Sequence, residues 1–110
     1  MNSSIEKRLL NAGNFVRNNG QVLRNINILR HKYNKLKGVQ TALQGAGIAE
    51  DEFLDSINFL TEEKYIHLRT VAGKEDANLA DVDYIELEAK LTSKGIRLLA
   101  GGIDDNMIEV

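Results

Sequence analysis

Near residue 64 of this 110-residue chain the spacing of apolar side chains changes from three-and-four to two. Before that point Phe53, Leu54, Ile57 and Leu60 share one helical face. After it, Tyr65-Ile66-His67-Leu68-Arg69-Thr70-Val71 alternates with the β-branched and aromatic content of a strand. The alternation returns in Tyr84-Ile85-Glu86-Leu87-Glu88-Ala89-Lys90, and residues 72–82 between the two runs are polar and contain glycine. The pattern predicts an antiparallel pair of strands joined by a loop and set behind a group of helices. A chain of this length buries roughly two-thirds of its unfolded surface as a single domain.

Helical spacing dominates the rest. Ser4 precedes Ile5, Leu9, Leu10, Phe15 and Val16, which predicts a helix over residues 4–17 ended by Asn18-Asn19-Gly20. Val22, Ile26, Leu29, Tyr33 and Leu36 predict a second helix from Val22 to Leu36, closed by Gly38. A short third helix is expected from Val39 to Gln44, stopped by Gly45-Ala46-Gly47. Glu50, Asp51 and Glu52 favour the first turn of a helix over residues 50–63, because carboxylates offset the helix dipole there. Thr92 is expected to cap a closing helix through Ala100, with Gly101-Gly102 as its stop and residues 103–110 as a tail. Met1-Asn2-Ser3-Ser4 is expected to be a native start.

This order predicts a mainly α protein with a small antiparallel β wing, the arrangement of a winged helix-turn-helix. Residues 1–38 would supply N-terminal helices, 39–63 the helix-turn-helix, 65–90 the wing strands and 92–102 the closing helix. Two stretches of local wording add a resemblance. Phe53-Leu54-Asp55-Ser56-Ile57-Asn58-Phe59-Leu60-Thr61-Glu62-Glu63-Lys64-Tyr65-Ile66 resembles the recognition helix and first wing strand of many bacterial winged-helix regulators. Leu91-Thr92-Ser93-Lys94-Gly95 resembles the opening of the closing helix in the same proteins. With Gly102-Ile103 behind it, the combination is similar to small winged-helix proteins of Mu-like transposable phages and prophages. The resemblance covers about residues 39–103 and implies a small phage-type transcriptional regulator. Residues 20–38 depart from it as an added or lengthened helix, and Lys64-Tyr65 stands where Lys-Gly is common.

Composition narrows the chemistry. With 43% hydrophobic and 27% charged residues the chain has an ordinary globular balance. The absence of cysteine excludes disulfides and thiolate catalysis, and fits a reducing cytoplasm. No apolar run exceeds three residues, so neither a membrane span nor a signal-peptide core is expected. The formal net charge of −2 hides a division: residues 1–40 carry eight basic side chains and one acid, residues 41–110 six basic and fifteen acidic. Such asymmetry points to an anionic partner or a charge-complementary one.

On the predicted second helix Arg24, His31, Lys32 and Lys35 cluster opposite the apolar stripe, with Asn27 and Asn34 beside them and Arg30 and Lys37 at its flanks. That composition holds phosphates, so double-stranded DNA is the expected partner. The helix over 50–63 is less suited, since Asp51, Asp55 and Glu62 face outward and only Ser56 and Asn58 offer neutral hydrogen bonding to bases. Phe59 lies near this acidic face and is expected to cover a wing strand or a partner. A homodimer is also expected, including one in which the basic face docks on the acidic half of a second copy. The alternative function is a winged helix used for protein–protein assembly without nucleic acid. Glu86 and Glu88 are expected to share a solvated strand face. His67 reads as a strand residue, and no nucleophile–base set can be assembled. No catalysis, cofactor or metal is expected.

Overall fold

Four helices and a three-stranded antiparallel sheet make up the fold, seen in a computed structural model that describes residues 3–110. The expected start at Met1-Asn2 lies outside the described residues. Helix α1 spans Ser3–Asn27, a single 25-residue helix where two helices over 4–17 and 22–36 were expected. Long-range contacts carry it through Asn18-Asn19-Gly20. The Asn18 amide donates to Glu52 (3.3 Å) and the Asn19 amide to the carbonyl of Met107 (2.9 Å). A Cβ on Gly20 would lie 1.7 Å from the carbonyl oxygen of Glu109. These three residues therefore serve as a docking site inside a helix, which overrides their preference for helix ends.

The helix stops at Asn27 and the chain turns through residues 28–33. Asn34 holds the turn: its amide donates to the carbonyls of Ile26 (3.4 Å), Leu29 (3.4 Å) and Lys32 (3.1 Å). A two-residue strand, β1 (Asn34–Lys35), follows, then α2 (Leu36–Gly45). The apolar spacing from Val22 to Leu36 thus belongs to two elements. Val22 and Ile26 are buried on α1, Leu36 is buried on α2, and Leu29 between them is exposed.

Gly47, at φ +92, and the Ile48 N–H to Leu43 carbonyl bond (3.0 Å) turn the chain into α3 (Glu50–Glu62). Glu52 accepts from the Ala49 N–H (3.4 Å), satisfying one of the free donors of the first turn. Phe53, Ser56, Ile57 and Leu60 face the core. Lys64 adopts φ 66, and this left-handed residue feeds β2 (Ile66–Thr70).

Strand β3 (Leu87–Leu91) pairs antiparallel with both others, giving the order β1-β3-β2. Ile66 lies opposite Leu91 and Thr70 opposite Leu87. The expected strand over 84–90 begins three residues late. Tyr84–Glu86 form a turn of 3-10 helix, fixed by the Asp83 carboxylate accepting from the Ile85 N–H (3.1 Å). That turn buries Tyr84, whose ring meets Phe53 edge-on at 6.0 Å. Thr92 caps α4 (Ser93–Leu99) by accepting from the Gly95 N–H (3.1 Å). The tail packs back on α1: Ile108 is buried and the Glu109 N–H reaches the Val16 carbonyl (3.1 Å). Among the described residues no helix is long and apolar enough to cross a membrane.

Tyr65, buried just before β2, donates its hydroxyl to Asp105 (2.6 Å). Burial, then the hydrogen bond and negative charge of Asp105, push the phenol up to about 12. The folded value lies above the unfolded one of about 10, so the associated stability is complete below pH ~10 and lost as pH rises toward 12. Denaturant melts across that window should show the loss, and Tyr65→Phe should flatten it.

Candidate functional site

The sheet has a core face and an outer face. Ile66, Leu68, Leu87, Ala89 and Leu91 point inward and are buried. Pleating sends His67, Arg69, Glu88 and Lys90 outward. The register aligns His67 with Lys90, and Lys35, Glu88 and Arg69 across the next row. Tyr33, one residue before β1, packs over the same face. The Arg69 guanidinium lies 3.5 Å from its ring centroid and the Lys90 ammonium 6.0 Å away.

Two hydrogen-bonded sets stand on this face. In the first, the Tyr33 hydroxyl meets His67 Nδ1 at 2.6 Å, and His67 Nε2 meets Asp76 at 2.8 Å. This is the one aligned hydroxyl–imidazole–carboxylate series among the described residues, and sequence spacing did not bring it together. Its members come from the turn before β1, from β2 and from the loop over 71–83. The series ties that loop to the turn. In the second set Glu88, buried instead of solvated, accepts from Arg69 Nε (2.6 Å) and Lys74 Nζ (3.1 Å). Glu86, on the 3-10 turn, stays exposed.

The expected cationic helix face does not form, because residues 28–35 are turn and strand. Arg30, His31 and Lys32 lie instead on the turn before β1, and Lys35 on β1 itself. Arg30, His31, Lys32 and Lys35 are exposed, and among the described residues their side chains make no hydrogen bond or ion pair. Lys37 is exposed on α2 and donates to Gln40 (3.3 Å). Arg24 lies apart from these residues and donates to the Glu109 carbonyl (3.1 Å). Asn34 spends its amide donors on the turn, and Asn27 Oδ1 is buried with no partner among the described residues. Asn34 therefore has no amide donor left for a phosphate.

On α3 the outward residues are Asp51, Asp55, Asn58 and Glu62. Ser56, expected to reach a base, is fully buried, since residue 56 shares the inward stripe with Phe53 and Leu60. Asn58 remains exposed beside the loop, in a groove shared with Asn78 and Leu79. Phe59 covers α1 instead of a wing strand, meeting Phe15 edge-on at 5.2 Å. Beside that contact Asn11, Asn14, Phe15 and Asn18 of α1 and Asp51, Glu52 and Asp55 of α3 line a groove of about 610 Å³.

Exposed cations thus gather on the turn before β1 and on β1, while the exposed face of α3 is acidic and the outer sheet face carries both signs. Comparison with known proteins gives no matching family model, no matching curated protein and no matching solved structure.

Proposed function

We propose that the chain is a winged helix-turn-helix protein that binds double-stranded DNA through β1 and the turn before it, with α3 in a structural role. The element order α1-β1-α2-α3-β2-β3, with β3 between its partners, supports the winged-helix reading. In it α2, the turn at 46–49 and α3 form the helix-turn-helix, and the loop over 71–83 is the wing. The observation that carries DNA binding is the exposed, unpaired set of Arg30, Lys32 and Lys35, with His31 among them on the turn before β1 and Lys90 on the outer face. Phosphates are held by side chains of this kind, whereas a polyanion approaching α3 would meet Asp51, Asp55 and Glu62. The resemblance of residues 39–103 to Mu-like phage proteins supports the role of a phage-type transcriptional regulator working in the cytoplasm. The acidic face of α3 supports a second reading, a winged helix used for protein assembly.

Fluorescence anisotropy with a random-sequence duplex separates the two. About four phosphate contacts give a log–log salt slope of roughly −4, a loss of about two-hundredfold between 50 and 200 mM salt. Lys32→Glu/Lys35→Glu should abolish this binding and leave the melting temperature unchanged, because both side chains are exposed. A parent protein that fails to bind at 50 mM salt, or a double variant that binds as well as the parent, would exclude the DNA reading.

A further inference from the structure

The turn that follows α1 holds two large apolar side chains in solvent. Ile28 is 75% exposed and Leu29 55% exposed, and Arg30, His31 and Lys32 follow them directly, all exposed. The backbone beneath them is tied down. The Ile28 N–H reaches the Asn25 carbonyl (3.3 Å) and the Lys32 N–H the Leu29 carbonyl (3.0 Å), so residues 29–32 close a β-turn with Arg30 and His31 at its tip. Asn34 pins the same backbone through the carbonyls of Leu29 and Lys32. The apolar pair therefore stands out on a fixed backbone, next to Arg30 along the chain and next to Lys32 across the turn. Turns are ordinarily built from Gly, Asn, Asp and Ser, so an Ile-Leu pair is no consequence of the turn itself. In the sequence no acid stands between Glu6 and Glu50, and no neighbour along the chain offsets these cations.

We propose that Ile28 and Leu29 form a wedge that enters the minor groove of duplex DNA and parts a base step, while Arg30, Lys32 and Lys35 hold phosphates around it. This rests on the DNA reading given above and adds to it a deformation of the duplex. Aliphatic wedges unstack a step and kink the duplex by roughly 20–90° toward the major groove, a cost offset by the added contact. Pyrimidine–purine steps unstack most easily, so the wedge favours them without touching base edges. That suits a turn whose nearest amide, Asn34, has no donor left to read a base. A wedge already held in place also opens a step without first losing conformational entropy of its own. An anionic membrane is the other polyanion that accepts apolar side chains. Ile28 and Leu29 together offer less hydrocarbon than a single fatty chain, which by itself anchors only marginally, so the duplex is favoured.

Two signals on one short duplex test this: 2-aminopurine in place of the adenine of a single central TA step, and a donor–acceptor pair on the two ends. With the parent at saturation the 2-aminopurine emission should rise and the ends approach, as a kink of roughly 20–90° requires. Ile28→Ala/Leu29→Ala should lose both signals and keep the log–log salt slope of roughly −4, because its phosphate contacts are intact. Its melting temperature should match the parent's, both side chains being exposed. Leu10→Ala is the control: Leu10 is 65% exposed and about 25 Å away along α1, and its variant should bend the duplex as the parent does. A parent that binds with the salt slope but leaves the step stacked and the duplex straight overturns the wedge and leaves the phosphate contacts standing. A bend that survives Ile28→Ala/Leu29→Ala does the same. A parent that binds no duplex at low salt overturns both readings. Binding to phosphatidylserine vesicles in its place, lost in the double variant, would give the pair to a membrane surface instead.

Discussion

Gly95→Ala is expected to lower the melting temperature by about 10 °C. Residue 95 sits in the first turn of α4 where the helix crosses the start of β2. A Cβ there would stand 2.3 Å from the Tyr65 carbonyl oxygen and 3.3 Å from its carbon. Both are backbone atoms and cannot swing aside. The same oxygen accepts the Thr92 N–H at 3.0 Å, and the Gly95 N–H is itself held by the Thr92 hydroxyl. Relief therefore means moving α4 away from the strand and lengthening bonds on both sides of the cap. Forced overpacking of this kind costs about 2–3 kcal/mol, more than alanine gains over glycine in helix propensity. For a domain of this size that is about 10 °C. Gly13→Ala gives the comparison, because nothing lies within 4 Å of a Cβ there. Circular-dichroism melts of the two variants should separate cleanly, and equal melting temperatures would remove the close-approach argument.

Glu88→Ala should cost about 2–3 kcal/mol and also change how stability responds to acid. Glu88 lies on the outer sheet face, yet its side chain is 6% exposed beneath Arg69 and Lys74. Burial raises the carboxyl pKa. The hydrogen bonds from Arg69 and Lys74 and their charges outweigh that effect, holding it below the usual range. Its folded value is thus below its unfolded one, and the unfolded chain takes up the proton first as pH falls. The stabilisation is complete above the unfolded value of about 4.3 and lost as pH falls through the folded value. Removing the carboxylate leaves two cations without their partner. Both reach solvent, so the penalty stays below that of breaking a fully buried pair. Urea midpoints measured from pH 7 down through the carboxylate range should show the difference. The parent should lose more stability to acid than Glu88→Ala, and parallel curves would remove Glu88 as a source of the pH dependence.

Local periodicity made part of this architecture legible in the sequence. The switch near residue 64 placed β2 and β3 as an antiparallel pair, the acid-led face of residues 50–63 located α3, and Thr92 fell at the cap of α4. These features rest on neighbours within a few positions. The continuity of α1 rests on Glu52, Met107 and Glu109, which no window around Asn18 contains. Strand β1 has only two residues and exists because Asn34 and Lys35 find Ala89 and Glu88. The alternation around Glu88 put it correctly on the outer face but implied water there, because Lys74 comes from a loop with no period of its own. The basic residues of the turn and of β1 were visible as a group. Their carrier was misread as a helix because Leu29 fits the apolar spacing while lying on an exposed turn. The Tyr33–His67–Asp76 series needed the registers of β1 and β2 against β3 and the path of the loop.

The tie between α1 and the tail also has a kinetic side. The Arg24 and Asn19 bonds to the tail span 85 and 88 positions of the chain. Contacts so remote in sequence lose their loop-closure entropy only after the intervening elements have ordered, and they raise the contact order of an otherwise helical fold. The middle of α1 is an Asn-Asn-Gly stretch with poor helix propensity of its own, so its helical state depends on the arrival of residues 107–109. Pulse-labelled hydrogen exchange during refolding is therefore expected to protect the centre of the first helix late, and protection there before the sheet would count against this dependence.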